Sequence, residues 1–102
     1  MGYTDRPRTH RLKTWPEYLD AIGECRKTFE MRKDDRGGFA VGDFLELREW
    51  FPDREEWGPR SVHCRISYVL DGGQFGVEPG HVVLGIMLSE NHRWPPPPRP
   101  AV

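Results

Sequence analysis

The sequence predicts an α+β, mostly β fold: a small open β-barrel or curled mixed sheet of about five strands, with one principal N-terminal helix. Three observations support this prediction. The chain has 102 residues, of which 36% are hydrophobic and 30% charged, which is typical of one domain with one core. Apolar residues follow a helical spacing only at about residues 14–25. Several later segments instead alternate apolar and polar residues, as strands do.

The first strand and the helix follow an N-terminal stretch without periodicity. Residues 1–8 are predicted to be a flexible arm, and residues 9–13 a short strand with Leu12 facing inward. The run Thr-Trp-Pro-Glu at 14–17 is typical of a helical capping box with Thr14 as the cap. The residues spaced along one helical face, and therefore predicted to face the core, are Trp15, Tyr18, Leu19 and Ile22.

Two strands are predicted directly after the helix. Residues 27–33 alternate in character and end at a cluster of turn residues. Residues 44–51 form the clearest strand of the chain and follow a tight Val-Gly-Asp turn. The inward-facing residues of these two strands are predicted to be Phe29, Met31, Leu45 and Leu47.

The remaining strands are separated by two loops. A polar hairpin loop at 52–59 leads into a strand at 61–70, and a Gly-rich loop at 71–80 leads into an apolar strand at 81–88 that should lie centrally. The Gly-rich loop lacks the spacing of a phosphate-binding loop, so it is predicted to be a turn with Phe75 folded onto the barrel. The residues predicted to share the buried face of the strand at 61–70 are Val62, Cys64, Ile66, Tyr68 and Leu70.

Composition argues against several classes of protein. No apolar run approaches 18 residues, and the N-terminus has no apolar segment of a secretory signal, so a cytoplasmic protein without membrane contact is expected. Cys25 and Cys64 do not form a disulfide framework, and both are expected to be free, mostly buried thiols. The four histidines show no metal-ligand spacing, so no metal site is predicted.

The globular domain is predicted to cover residues 9–88. Residues 89–102 are proline-rich and are predicted to form a solvated polyproline-type tail, in which Trp94 is the one residue expected to dock. The net charge of -1 does not mark the whole molecule as a binder of polyanions.

Lys27, Glu30 and Arg32 form the candidate site. Three charges within six residues at the start of a strand could hold a polar ligand, with the acid taking a donor and the cations taking phosphate or carbonyl oxygen. The alternative interpretation is an exposed strand with an ion pair across its face. In either case the cations, taken as exposed, are expected to add little to stability.

Several segments occur in a characteristic order: His-x-Leu-Lys at 10–13, a Trp-Pro helix, Lys-Thr-Phe-Glu-Met-Arg at 27–32, Val-Gly-Asp-Phe-Leu-Glu-Leu-Arg-Glu-Trp at 41–50 and Tyr-Val-Leu-Asp-Gly-Gly at 68–73. In this order the chain resembles the ASCH domains, a branch of the PUA-like superfamily, and in particular small, uncharacterised bacterial and phage members. The resemblance extends over about residues 9–88. It implies an open β-barrel with a cleft beside the first helix, where RNA or a modified nucleoside would bind. The residues that it places at this cleft are Lys27, Glu30, Arg32, His10 and Lys13.

Some ASCH relatives deacetylate acetylated cytidine with a lysine, a threonine three residues later and a distant glutamate. This chain keeps the lysine as Lys27 but has Glu30 in place of the threonine, and Thr28 need not project to the same point. Other relatives are ribonucleases, for which Lys27 and Glu30 would be the candidate catalytic residues, with His10 as a further acid or base. Whether the chain is an enzyme therefore stays open.

The expected function is recognition of single-stranded RNA or a nucleotide, without chemistry and without a cofactor. Phosphate would be contacted by the cations Lys27, Arg32, Lys13 and Arg36. Bases would stack on Trp15, for which a core position is the alternative, or on Trp50. The other interpretations are a small hydrolase acting on RNA or a modified nucleoside, and a protein-interaction module that uses the acidic 43–56 hairpin and the tail. A monomer is expected.

Overall fold

The fold is seen in a computed structural model, which describes residues 6–34, 38–89 and 94. Most of the predicted arm at 1–8 and of the proline-rich tail at 89–102 therefore lies outside the described residues. The elements, in chain order, are β1 (Thr9–Thr14), α1 (Pro16–Gly23), β2 (Phe29–Lys33), β3 (Phe44–Phe51), β4 (Glu56–Asp71) and β5 (His81–Leu88).

The five strands form one sheet in the order β1-β3-β4-β5-β2, curled into a half-barrel. β1 runs parallel to β3, and the other neighbouring pairs are antiparallel. The predicted class, a small mostly β fold with one helix, is confirmed. β5 is an interior strand, although the middle position belongs to β4. Since β1 and β2 lie at opposite edges of the sheet, α1 carries the chain from one edge to the other.

The core fills the concave side of the sheet beneath α1. The helix contributes Leu19 and Ile22, both fully buried, as its spacing predicts. The bounds predicted for β3 and β5 are confirmed. The buried hydrophobic residues are Leu12, Leu19, Ile22, Leu45, Leu47, Val62, Cys64, Ile66, Val82, Leu84 and Ile86. Among the described residues, no helix has the length and apolar character needed to cross a membrane.

β4 departs from its predicted pattern in two ways. It has 16 residues and begins at Glu56, so the turn before it is shorter than the predicted loop at 52–59. Its register against β5 shifts between Ile66 and Tyr68. A bulge of this kind adds one residue and reverses the face that later side chains occupy. Tyr68 is therefore exposed instead of buried, and Val69 packs against the core.

The predicted faces of β2 are wrong. Phe29 and Met31 are 46% and 56% exposed, whereas Glu30 is only 4% exposed. The reversal is possible because Glu30 is paired with two cations, so a carboxylate can occupy the inner face. The prediction for Phe75 is also wrong, since its ring is largely exposed in a turn.

The predicted capping box does not form. Thr14 is the last residue of β1 and is buried, and Trp15 occupies the N-cap position without a side-chain cap hydrogen bond. Pro16 opens the helix, as expected for a residue that lacks the amide donor. Trp15 and Tyr18 are half-exposed and do not join the core. Cys25 lies beyond the helix and is exposed, which corrects the prediction of a buried thiol.

Candidate ligand-binding cavity

A cavity of about 340 Å³ lies where the two edges of the half-barrel approach each other beside the start of α1. Its size is within the range of small-molecule sites in proteins. It is lined by the end of β1, the first turn of α1, and the segment leading into and along β2. The lining residues are Lys13, Thr14, Trp15, Tyr18, Lys27, Phe29, Glu30, Met31 and Arg32.

Glu30 is the centre of the charged group in this cavity. Its Oε1 accepts a hydrogen bond from Lys27 Nζ at 2.6 Å, and its Oε2 accepts one from Arg32 Nε at 2.8 Å. Lys27 Nζ also donates to the carbonyl oxygen of Phe29 at 2.6 Å. Both carboxylate oxygens are thus engaged by cations, which compensates for burying the charge.

Arg32 also links the two edges of the sheet. From β2, its Nη2 donates to the carbonyl oxygen of Lys13 at 3.0 Å and to Thr14 Oγ1 at 3.3 Å. β1 and β2 are not neighbours in the sheet, so no backbone ladder joins them. The guanidinium bridges the gap that remains, and it forms one wall of the cavity.

Aromatic side chains form another part of the cavity wall. Trp15 and Tyr18 stack with their ring centroids 5.9 Å apart and an interplanar angle of 21°. Both rings are about half-exposed, as is that of Phe29, whose centroid lies 4.7 Å from Lys27 Nζ. The cavity therefore offers exposed ring faces next to fixed positive charge, a combination suited to a planar anionic ligand.

The structure brings most of the predicted site residues together. Lys13, Trp15, Lys27, Glu30 and Arg32 line the same cavity. Sequence reasoning assigned Tyr18, Phe29 and Met31 to the core and missed them as lining residues, because a helical or alternating pattern is the same for a cavity wall as for a core face.

His10 does not line the cavity. It lies near the start of β1, where its Nε2 is 2.8 Å from Asp43 Oδ2 and its ring packs 4.5 Å from that of Phe39. The amides of Arg8 and Ala40 also donate to Asp43. Burial by itself would raise the pKa of Asp43, but these hydrogen bonds outweigh it and lower the pKa below the ordinary value of 3.8.

Of the two other predicted residues, Trp50 does not line the cavity. Arg36 lies outside the described residues. Trp50 lies at the end of β3, where the ammonium of Lys13 is 3.8 Å from the ring centroid. Lys13 therefore contributes to the cavity while its charge is directed toward Trp50.

Glu49, a third buried acid beside Glu30 and Asp43, was not predicted. Arg60 Nε donates to Glu49 Oε2 at 2.8 Å, and Arg60 Nη1 donates to Asp20 Oδ1 at 2.7 Å, which ties α1 to β3 and β4. Burial disfavours the charged guanidinium, but the two carboxylates outweigh it and raise the pKa of Arg60. The sequence did contain an indication of this burial. Glu49 continues the alternation that places Leu45 and Leu47 on the buried face of β3.

Two further groups near the cavity bear on its chemistry. Burial, reinforced by the charge of Glu30, raises the pKa of the Cys64 thiol to about 12, so it is not a thiolate nucleophile at neutral pH. Thr28 lines a neighbouring cavity of about 260 Å³ instead of the main one. Within the described part of the chain, no group of three or more His, Cys, Asp or Glu side chains is arranged to hold a metal ion.

Comparison with known proteins gives a family and a relative. The family model "Domain of unknown function (DUF3850)" matches residues 9–86. An uncharacterized 12.9 kDa protein in the GpA 3' region of Escherichia phage P2 is 36% identical over 64 residues, which is 63% of this chain and 56% of that protein. The chain thus matches little more than half the length of this curated relative.

Proposed function

We propose that this chain, which belongs to the family described as domain of unknown function DUF3850, binds a nucleotide, free or as a unit of single-stranded RNA, without chemistry. One observation carries the proposal. The half-exposed Trp15–Tyr18 stack and the Lys27–Glu30–Arg32 group line the same cavity. Single-strand recognition commonly combines stacking on aromatic rings with cationic contacts to phosphate.

The balance of charge favours an anionic ligand. Lys27, Arg32 and Glu30 form a group with one net positive charge, and the charge of Lys13, which also lines the cavity, is directed toward Trp50. Among the described residues, Arg32 Nη1 has no hydrogen-bond partner, while the Nε and Nη2 groups are held by Glu30 and β1. A guanidinium fixed on two sides is preorganised to donate to a phosphate oxygen at the third nitrogen.

The position of the cavity also supports the proposal. The resemblance to ASCH domains implies a ligand in a cleft beside the first helix, and the cavity is bounded by the first turn of α1. A concave cavity of this size suits a small planar ligand better than it suits the flat surface of a partner protein.

The geometry of Glu30 argues for binding over hydrolysis. A general base needs an oxygen that can reach a substrate proton, and both oxygens of Glu30 accept hydrogen bonds from cations. Thr28, the nearest hydroxyl in sequence to the position of the amidohydrolase nucleophile, lines the other cavity. We therefore expect no efficient hydrolysis of acetylated cytidine.

The proposal is tested by titrating the protein with uridine monophosphate and with a uridine hexanucleotide, followed by intrinsic fluorescence and calorimetry. Trp15→Ala and Tyr18→Ala should each weaken binding about 5- to 100-fold, because a stacking partner is lost. Both side chains are half-exposed, so the variants should stay folded. Binding should also weaken as salt rises, since phosphate contacts release counterions.

Phe75→Ala is the matched control, because this aromatic ring is exposed in a turn and does not line the cavity. It should bind both ligands as the unaltered chain does. Absence of binding to both ligands, or equal binding by Trp15→Ala and Phe75→Ala, would contradict the proposal.

A further inference from the structure

A second aromatic surface lies next to the turn of the β3–β4 hairpin. Trp50 and Trp57 are register partners, and their rings meet edge to face with centroids 5.0 Å apart. Trp57 is 49% exposed. A large ring held in a fixed orientation with half its surface in water offers a face on which another planar group can stack.

Two cations complete this surface, which we call the indole platform (Lys13, Arg48, Trp50 and Trp57). Lys13 and Arg48 are directly opposite each other in the β1–β3 register. Like charges in this arrangement repel each other. Each cation lies over an indole ring, with 3.8 Å from Lys13 Nζ to the Trp50 centroid and 4.7 Å from the Arg48 guanidinium carbon to that of Trp57.

The carboxylates near these cations do not neutralise both of them. Within the described part of the chain, no carboxylate lies at ion-pair distance from Lys13 Nζ. Arg48 is paired only loosely, with 3.6 Å between its Nε and Glu46 Oε1. The platform is therefore positively charged.

Lys13 is shared by the platform and the cavity, because it lines the cavity while its ammonium lies over Trp50. From this shared residue we infer that the platform is a second nucleotide subsite, so that the ligand is a single strand of RNA with one base in the cavity and a neighbouring base on Trp57. The inference rests on the proposed function and extends it from a nucleotide to a strand.

The charge of the hairpin limits the path of such a strand. The acids Asp53, Glu55 and Glu56 lie in the exposed turn and directly after it, and they repel phosphate. Lys13 and Arg48 are opposite each other in the β1–β3 register, on the side of the two tryptophans that is away from this turn. The RNA strand is therefore expected to pass on that side.

The test compares uridine monophosphate, a uridine dinucleotide and a uridine hexanucleotide on the unaltered chain and on Trp57→Ala. The unaltered chain should bind the hexanucleotide more tightly than the monophosphate, by about 5- to 100-fold, since stacking on one further ring is gained. Trp57→Ala should lose this gain and keep its affinity for the monophosphate. Trp57→Phe should recover part of the gain, because it restores a stacking face.

The outcomes separate the two proposals. The second subsite is refuted if the monophosphate binds and the hexanucleotide binds no more tightly, or if Trp57→Ala keeps the full gain in affinity. In both cases the cavity proposal stands. If Trp15→Ala and Trp57→Ala both leave hexanucleotide binding unchanged, or if no ligand binds, both are refuted. Phe75→Ala serves again as the control, and thermal unfolding of each variant verifies that it is folded.

Discussion

At the scale of single residues, Glu30 shows how a charged side chain can take a core position. It lies on the inner face of β2 opposite Leu84, where its neighbours in the sheet are apolar. Lys27 and Arg32 each occupy one carboxylate oxygen. The expectation from sequence that these cations add little to stability assumed exposed side chains, but they are only 19% and 23% exposed, so we expect both to stabilise the fold.

Arg32→Ala should lower the free energy of unfolding by about 1–3 kcal/mol, because it removes charged hydrogen bonds from a buried carboxylate. The matched control is Arg26→Ala. Arg26 pairs with Glu24 at the same spacing of two residues, but its side chain is 63% exposed. Its loss should change stability by less than about 0.5 kcal/mol. Urea denaturation measures both, and equal losses would show that burial of Glu30 is not the reason.

Asp43 gives the fold a predictable dependence on pH. Its pKa is lower in the folded chain than in the unfolded one, so its stabilising effect is complete above that unfolded value and disappears as the pH falls through the folded value. Asp43→Asn should therefore be less stable than the unaltered chain at neutral pH, and the difference should shrink as the pH falls below 3.8.

Denaturation midpoints measured from neutral to acid pH test this expectation. Asp53→Asn, at an exposed position in the β3–β4 turn, is the control and should differ little from the unaltered chain at any pH. If Asp43→Asn is less stable than the unaltered chain by the same amount at every pH, its effect comes from altered packing or hydrogen bonding and not from the loss of the carboxylate charge.

At the scale of elements, α1 is short and begins without a side-chain cap. It has eight residues, and Trp15 occupies the N-cap in an extended conformation. An aromatic residue at this position cannot accept a hydrogen bond from the amides of the first turn. The helix is held instead by the burial of Leu19 and Ile22 and by the pair of Asp20 with Arg60.

Trp15→Ser should therefore be more stable than Trp15→Ala, by about 0.5–2 kcal/mol, because the serine hydroxyl can accept a hydrogen bond from the first turn. Both variants lose the ring, so the comparison isolates the cap. Both should also bind nucleotides weakly if the ring is a stacking partner. Thermal unfolding measures the stability difference, and identical midpoints would show that the first turn has no need of a cap.

The elements differ in how far the sequence determines them. The bounds of β3 and β5 follow from sequence because each alternates cleanly or is continuously apolar between turns. The face of β2 does not follow from alternation, since ion pairing let Glu30 point inward. The bulge before Tyr68 is likewise a property of strand pairing, which a local pattern does not contain.

The candidate site could be predicted in part. Lys27, Glu30 and Arg32 are close in sequence, so their proximity in space is a local property of one strand and the turn before it. Lys13 comes from another strand, and resemblance, not pattern, placed it at the cleft. His10 was misplaced because its partner Asp43 is 33 residues away, which no local reading shows.

At the scale of the whole molecule, Trp94 joins the C-terminal region to the domain. It packs against the core, and the guanidinium carbon of Arg60 lies 5.1 Å from its ring centroid, as the expectation that it docks requires. A side chain added at Gly23 would run into the Trp94 ring. The last turn of α1 is therefore shaped to receive this tryptophan.

Trp94→Ala should destabilise the chain by about 1–3 kcal/mol, less than the loss of a fully buried aromatic. Gly23→Ala should also destabilise it, because the added methyl displaces the ring. The effect of Gly23→Ala should be smaller when Trp94 is already alanine, and a double-mutant cycle by thermal unfolding measures this coupling. Additive effects would contradict contact between the two residues.

The strand order has a consequence for how the chain folds. β3, β4 and β5 pair with sequence neighbours, whereas His10 pairs with Leu45 and Glu30 with Leu84 across long stretches of chain. Distant pairings require more loop closure and form late. The meander of three strands should therefore assemble first and the two outer strands join last. A ligand in the cavity between them would bind only after this final step, and would thereby protect the N-terminal third of the chain from local opening.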